Sequence, residues 1–223
     1  MQRYKFTIEY DGFGYVGWQR QKNGPSIQCT LEDAIYSFSG NAVKTIAAGR
    51  TDSGVHALGQ VVAFDTESDY PPETFIKALN YYLPNDIAVK EAHRVSPNFN
   101  PRRMALSRLY VYSVYVGSTR SPLSRRTAYR VGEGLKLERI RRAVRHLVGV
   151  HDFAGFAGPL ERPDASTVRE MFEARVRSKG DIITMEIEGN AFLPHQMRRM
   201  AGALVDVGFG RLGPSEVLAI LDR

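Results

Sequence analysis

The stretch YKFTIEY, residues 4–10, alternates apolar and polar side chains, and this period of two predicts the first β-strand of the chain. A helical pattern follows Pro25-Ser26. We predict further strands at 43–48, 60–65 and 87–93, and a second helix that begins at Pro71-Pro72-Glu73. The resulting order β-α-β-β-α-β is the split βαβ arrangement.

The second half of the chain nearly repeats this order. We predict strands at 105–116, 171–177 and 182–187, a hairpin turn at Lys179-Gly180, and helices at 137–148, 193–207 and 214–221. The sequence therefore predicts an α+β fold of two ferredoxin-like halves, residues 1–100 and 101–223, which share a central antiparallel sheet. A final strand would complete the second half, and the sequence ends before one.

The composition excludes several classes of protein. The 223 residues are 43% hydrophobic and 24% charged, which is typical of a folded globular chain rather than a disordered or fibrous one. No run of about 18 apolar residues predicts a membrane span, and the first residues lack the apolar core of a signal peptide. Cys29 is the single cysteine, and the five histidines do not pair at metal-ligand spacing. We expect a cytoplasmic protein without a metal site.

The charge is unevenly distributed along the chain. The net charge is +6, but residues 1–100 carry 9 basic and 11 acidic side chains, whereas residues 101–223 carry 21 and 13. Arginine outnumbers lysine by 23 to 7, and the guanidinium group matches phosphate geometry and stacks on bases. An arginine-rich half indicates a polyanionic partner such as nucleic acid, although a basic protein without such a partner has the same composition.

The segment GFGYVG, residues 12–17, matches the GxGxxG pattern of dinucleotide-binding loops and follows a predicted strand. A dinucleotide fold needs a helix to begin there, whereas Gly24-Pro25 interrupts any such helix. We therefore predict a flexible loop that places Trp18, Gln19 and Arg20 near a substrate.

The segment AAGRTDSGVHA, residues 47–57, is rich in functional groups and lies between two predicted strands. Gly49 and Gly54 bracket its polar part, so the loop can present the carboxylate of Asp52 into a cleft. Asp52 in that setting is a candidate nucleophile or general base. The same residues also suit an ordinary turn, in which Asp52 and Thr51 cap backbone amides.

Two more segments carry candidate residues. In SRLYVY, residues 107–112, alternation places Arg108 and Tyr110 on one face, which suits phosphate contact and base stacking or simply a half-buried strand. In FLPHQMRRMAG, residues 192–202, Arg198 lies near the edge of an apolar helical stripe. It either reaches a buried carboxylate or is solvated.

Together these segments resemble the bacterial tRNA pseudouridine synthases of the TruA type. The resemblance is carried by AAGRTDSGVHA (47–57), IEYDGFGYVGWQRQ (8–21), LNYYLPNDIAV (79–89), SRLYVY (107–112), GVHDFAGF (149–156) and FLPHQMRRMAGALVDVGFG (192–210). It implies the pseudouridine synthase fold and an isomerase that converts uridine to pseudouridine at positions 38, 39 and 40 of the tRNA anticodon stem-loop. It also implies base flipping, no cofactor and a homodimer.

The resemblance assigns roles to individual residues. Asp52 would attack covalently, at C1′ of the ribose or at C6 of the base, and Arg198 would pair with it. Tyr110 would pack on the target base and take the C5 proton, and Arg50 would hold the place or the phosphate of the flipped nucleotide. The remaining substrate-binding candidates are Gln19, Arg20, His56 and Arg108.

Two other functions are compatible with parts of the sequence. A non-catalytic protein that binds the tRNA anticodon arm would keep the basic half without turnover. A hydrolytic nucleosidase would need two paired carboxylates, and only Asp52 stands in a motif.

Overall fold

The computed structural model describes residues 1–160, 162 and 164–221. The chain divides into two compact units, Met1–Ala105 and Leu106–Arg223, whereas the sequence prediction divides it after residue 100. Each unit combines one β-sheet with helices, so the predicted α+β class is confirmed. The described strand pairs lie within one unit or the other, and a sheet shared by both halves stays a prediction.

The first unit has the predicted split βαβ order. Its elements are β1 (Gln2–Tyr10), α1 (Ile27–Ser39), β2 (Ile46–Ala47), β3 (Ala57–Thr66), α2 (Pro72–Tyr82), β4 (Ile87–Val95) and a final turn of helix, α3 (Pro101–Met104). The sheet is antiparallel in the order β2-β3-β1-β4. The loop between β2 and β3 therefore leaves the sheet beside the end of its central strand β1.

Local sequence sets both ends of α1. The Ser26 hydroxyl accepts a hydrogen bond from the Cys29 N–H at 3.2 Å, which caps the helix N-terminus. Gly40 ends the helix in the left-handed region (φ 69°), and its N–H donates to the Tyr36 carbonyl. The loop before α1 carries several candidate residues. Because the start of α1 is fixed, the end of that loop is fixed as well.

Four aromatic rings from three elements form the centre of the first core. Tyr4 and Phe6 of β1, Phe64 of β3 and Phe75 of α2 are all fully or almost fully buried. Their ring centroids lie 4.6–6.4 Å apart in mostly tilted or edge-to-face pairs, the geometry that aromatic pairs prefer. The alternation of residues 4–10 thus points into a core, as predicted.

The second unit contains a five-stranded sheet. Its elements are β5 (Arg108–Val116), β6 (Tyr129–Val131), α4 (Leu137–Val144), β7 (Gly149–Asp152), β8 (Val168–Lys179), β9 (Ile182–Gly189), α5 (Gln196–Phe209) and α6 (Glu216–Leu221). The strand order is β6-β5-β9-β8-β7, and β6 pairs with β5 in parallel. The predicted hairpin of β8 and β9 is confirmed, with Gly180 at its turn (φ 56°).

Element boundaries in the second unit differ from the prediction for identifiable reasons. The helix predicted from residue 193 begins at Gln196, because His195 adopts a left-handed conformation (φ 60°) that breaks the helical path. The strand predicted from residue 105 begins at Arg108, because its pairing with β9 starts there, opposite Gly189, after α3 has ended at Met104. Strands β6 and β7 were not predicted.

Helices α4 and α5 supply much of the second core. Ile140 of α4 and Met200 and Leu204 of α5 are fully buried with Met185 and Ile187 of β9.

Among the residues that the structure describes, no helix is both long and apolar enough to cross a membrane.

Candidate active site

Asp52 lies on the loop that joins β2 to β3, here called the aspartate loop (residues 48–56). A second loop, the glycine loop (residues 11–25), runs beside it. The Trp18 N–H donates to the Thr51 carbonyl at 3.0 Å, and the Gly54 N–H donates to the Tyr15 carbonyl at 3.2 Å. The Ser53 hydroxyl donates to the same Tyr15 carbonyl at 3.2 Å. The residues on both sides of Asp52 are therefore bonded to the glycine loop.

Two glycines allow this close contact between the loops. A Cβ atom on Gly12 would lie 2.0 Å from the Val55 carbonyl oxygen, and one on Gly17 would lie 2.6 Å from the Thr51 carbonyl oxygen. Gly17 also has a φ of 107°, which other residues rarely adopt. The GxGxxG segment thus serves loop packing in this fold.

The Tyr15 side chain fixes the glycine loop to the first core. Its hydroxyl donates to the Asp86 carboxylate at 2.7 Å, and burial, reinforced by Asp86, raises the pKa of Tyr15. The side chain is buried in the first core. Because the Tyr15 carbonyl is the acceptor for Ser53 and Gly54, this anchor also fixes the aspartate loop.

The start of the aspartate loop is held by a buried amide. The Gln60 side chain, on β3, donates to the Gly49 carbonyl at 2.5 Å and accepts from the Gly49 N–H at 3.4 Å. Arg50 follows directly and is exposed, while Asp52 is partly exposed. The loop therefore presents both predicted residues at the surface of the unit on a fixed backbone.

His56 ends the aspartate loop and contacts the glycine loop. Its Nδ1 lies 3.0 Å from Asp11 Oδ1 and 3.2 Å from the Gly12 nitrogen, which donates to it. These contacts give His56 a part in holding the two loops together. Its predicted contact with substrate stays a prediction.

The predicted role of Trp18 is wrong, whereas Gln19 and Arg20 are at the surface. Trp18 is only 3% exposed and packs near Tyr10 in the core. Its large apolar indole is buried between the loop and β1 because this removes it from water. Arg20 pairs with the largely buried Glu32 at 2.9 Å, and this hydrogen bond raises the pKa of Arg20. Gln19 is exposed.

In the second unit, Tyr110 lies on β5 with its ring centroid 4.6 Å from that of Phe192. It is partly buried, while its neighbour Leu109 is 61% exposed, so the predicted alternation along this strand is confirmed. Arg108, on the same face as Tyr110, donates to the Asn190 carbonyl at 2.6 Å. Phe192 thus supports one side of the Tyr110 ring.

Arg198 lies in the first turn of α5 and is exposed. The fully buried Gln196 holds that turn, because its Oε1 accepts from the Leu193 N–H at 2.7 Å. Arg199 adds a second fixing point by donating to the Ala157 carbonyl at 2.6 Å. The predicted ion pair between Arg198 and Asp52 would join the two units, each described by itself, and stays a prediction.

A cleft of about 770 Å³ opens beside Arg198, and sequence reasoning missed it. Tyr112, Tyr129 and Arg130 are among the residues that line it. Burial raises the pKa of Tyr112, partly opposed by Arg198. The lining residues come from β5, β6 and α5 and from residues that follow β6 and α5, and of them Arg198 alone is a candidate residue from the sequence. Within the described part of the chain, no cluster of three or more His, Cys, Asp or Glu side chains forms a metal site.

Comparison with known proteins identifies the class. A family model described as tRNA pseudouridine synthase matches residues 7–102 and 143–223, well over half of the chain. The chain therefore belongs to the tRNA pseudouridine synthase family, whose members are isomerases, and the predicted resemblance is confirmed.

Individual relatives narrow the match to one type within the family. A protein of Myxococcus xanthus named tRNA pseudouridine synthase A is 45% identical over 228 residues, covering all of this chain and 85% of the relative. Proteins of the same name from Geobacter sulfurreducens and Geotalea daltonii are 42% and 41% identical, covering 97% and 99% of this chain and 88% and 90% of the relatives.

Proposed function

We propose that this enzyme isomerises uridine to pseudouridine at positions 38, 39 and 40 of the tRNA anticodon stem-loop, with Asp52 as the nucleophile. The observation that carries the proposal is the placement of Asp52. Asp52 is partly exposed on the aspartate loop. The residues on both sides of it form hydrogen bonds of 3.0–3.2 Å with the glycine loop. A nucleophile held on a fixed backbone loses little entropy on reaching the attack geometry.

The proposed chemistry needs no other reactant. An Asp52 oxygen bonds to C1′ of the ribose as the bond between C1′ and N1 of the base breaks. The detached base turns, and its C5 bonds to C1′ as the bond to Asp52 breaks. C5 loses its proton and N1 gains one, so the product is an isomer of the substrate.

The other candidate residues fit steps before and after the attack. The base must first leave its stack, at a cost of about a few kcal/mol. Stacking on Tyr110, whose ring rests against Phe192, returns about 1–3 kcal/mol of this. Arg50 takes the place or binds the phosphate of the flipped nucleotide, and Arg198 keeps the Asp52 carboxylate ionised as substrate excludes water. Action as a homodimer in the cytoplasm is part of the same proposal.

The release of tritium from tRNA that carries 5-tritiated uridine tests the proposal directly, because isomerisation replaces the bond from C5 to hydrogen by a bond from C5 to C1′. We expect release by the wild-type enzyme and a loss on the order of 10⁴-fold or more for Asp52→Asn, as for removal of other nucleophiles. Transfer RNA binding should survive in this variant, because the asparagine amide has nearly the same shape as the carboxylate that it replaces.

Asp33→Asn is the matched control, since Asp33 is an exposed carboxylate on α1 and lies outside the proposed site. Its rate should equal that of the wild type. Turnover by Asp52→Asn near the wild-type rate would disprove the nucleophile assignment. Binding of tRNA without release by any form would instead indicate a non-catalytic anticodon-arm binding protein.

A further inference from the structure

The cleft beside Arg198 continues into a second cleft of about 260 Å³. The two clefts meet at the edge strand β6, because Tyr129 and Arg130 of this strand line both. The resulting channel, here called the arginine groove, runs in the second unit from α5 to the segment 117–130. That segment lies between the two stretches that the family model matches.

The groove carries a large excess of positive charge. The arginines that line it are Arg120, Arg125, Arg130, Arg198, Arg199 and Arg211. Asp206 is the single carboxylate among the described lining residues, and Arg211 pairs with it at 3.0 Å. The groove is therefore complementary to a polyanion rather than to a neutral ligand.

Two of these arginines are oriented by uncharged partners. Arg130 donates to the Ser118 carbonyl at 2.7 Å, and Arg125 donates to the Pro122 carbonyl at 2.9 Å. A backbone carbonyl fixes the direction of a guanidinium group without cancelling its charge. Each retains further N–H donors for phosphate oxygens, because a guanidinium group has five.

Three tyrosine side chains line the groove together with the arginines. Tyr112 and Tyr115 lie on β5, and Tyr129 on β6 is 59% exposed. Exposed aromatic rings beside phosphate-binding cations form the usual surface for nucleic acid whose bases are unpaired, because any base can stack on them. An acidic protein would use the charges but would leave these rings without matching planar partners.

We propose that the arginine groove binds the phosphodiester backbone of the RNA strand next to the target nucleotide. The inference rests on the proposed function for its ligand, tRNA. Arg198, the residue expected at the reacting centre, lines the groove, so a strand that leaves this centre can enter the groove. The groove contributes affinity through phosphates, and its effect falls on substrate binding rather than on the chemical step.

The test uses Arg120→Gln/Arg125→Gln in the full-length protein and an unmodified tRNA transcript as probe. The dissociation constant is measured over a series of salt concentrations, and KM and kcat are measured with tritiated tRNA. We expect the dissociation constant and KM near 0.1 M salt to rise about tenfold for each arginine. The slope of log affinity against log salt should fall by about 1.4, because each phosphate contact on a single strand contributes about 0.7.

Two matched variants separate a local contact from a general loss of charge. Arg141→Gln/Arg175→Gln removes the same charge from exposed arginines elsewhere in the unit, which pair with Glu138 and Glu173, and should behave like the wild type. Arg120→Lys/Arg125→Lys keeps both charges and should retain the wild-type salt slope, since that slope counts charges and not donors.

An unchanged salt slope in Arg120→Gln/Arg125→Gln would overturn the proposal. So would a fall in kcat with an unchanged dissociation constant, because the groove would then act in the chemistry. Binding needs no turnover, so the groove is tested even if the wild type releases no tritium. That last result would count against the proposed function alone.

Discussion

The glycine and aspartate loops of the first unit and the arginine groove of the second unit are built in opposite ways. The loops are joined by backbone hydrogen bonds of 3.0–3.2 Å and by glycines at which no Cβ fits. The groove is lined by long side chains whose charges are partly directed by backbone carbonyls. Charge follows the same division, with 9 basic and 11 acidic residues in 1–100 but 21 and 13 in 101–223.

In the proposed function, this difference separates two tasks. The first unit positions the nucleophile, and the second unit contributes affinity for the RNA. A covalent attack tolerates little displacement of the nucleophile, so rigid backbone contacts suit the loop that carries Asp52. A phosphate backbone offers a charge at every nucleotide, so several arginines spread along a groove suit it. Small changes to the loops should therefore cause large losses, and changes in the groove should cause graded ones.

Gly12→Ala should give the largest effect in the loops. The new Cβ would lie 2.0 Å from the Val55 carbonyl oxygen, so the backbone of one loop must move. We expect a loss of about 1–3 kcal/mol in the free energy of unfolding from overpacking. We also expect kcat/KM to fall about 10²-fold, because Asp52 would be displaced. Chemical denaturation and tritium release measure the two quantities.

Gly14→Ala is the control for this change, since Gly14 lies in the same short helical turn and its Cβ would meet nothing within 4 Å. Its unfolding free energy should stay within about 0.5 kcal/mol of the wild type. Equal losses in the two variants would mean that the close approach of the loops has no special effect on Asp52.

Gln196→Leu tests whether the second unit also depends on a fixed turn, the first turn of α5. The fully buried amide accepts from the Leu193 N–H, and leucine would leave that donor unpaired, at a cost of about 1–3 kcal/mol in unfolding free energy. Because Arg198 lies in the same turn, we expect kcat/KM to fall by about tenfold, less than for Gly12→Ala. Thermal denaturation and steady-state kinetics check both.

Met197→Leu is the matched control, a change of similar volume at the adjoining buried position, and should cost less than about 1.5 kcal/mol. If Gln196→Leu were no worse than this control, the start of α5 would owe its shape to packing alone. The contrast between the two units would then be sharper.

Asp65→Asn should give the smallest effect, because Asp65 lies at the end of β3 opposite to the aspartate loop. Arg3 donates to both Asp65 oxygens, at 2.8 and 2.5 Å, and this hydrogen bonding lowers the pKa of Asp65. A carboxylate with a lowered folded pKa stabilises above its unfolded pKa of about 3.9, and the contribution is lost as pH falls through the folded value. We expect a loss of about 0.5–1 kcal/mol at pH 7 that shrinks toward pH 3.

The change in unfolding free energy between pH 7 and pH 3 measures this contribution. Asp69→Asn is the control, because Asp69 pairs with Arg94 at 2.8 Å but is far more exposed. It should change stability less than Asp65→Asn at every pH. A larger effect of Asp69 would show that the two oxygens bound by Arg3 bring no advantage.

Local patterns in the sequence predicted most of the fold. The alternation of residues 4–10 and the Ser26 cap of α1 depend on neighbours a few residues apart, so they are visible in the sequence. Strands β6 and β7 have three and four residues, too few for a period of two to stand out. The α3 turn follows Asn100-Pro101, a capping signal that could have been used.

The sequence named the candidate site residues but not how the loops that carry them are held. Asp52, Arg50 and Arg198 stand in segments that resemble the family, whereas the hydrogen bonds between the aspartate and glycine loops join residues more than 30 positions apart. Trp18 was assigned to a substrate surface because an exposed loop tryptophan has the same sequence signature as a buried one. Burial is decided by distant residues such as Tyr10.

The hydrogen bonds between the glycine and aspartate loops have a consequence for protein engineering. The nine residues GRTDSGVHA do not keep their shape by themselves, since their backbone partners are Tyr15 and Trp18 on the other loop. Transplanted alone into another scaffold, the segment would carry the aspartate without its support. A portable module would need both loops together with Gln60 and Asp86, the side chains that hold Gly49 and Tyr15.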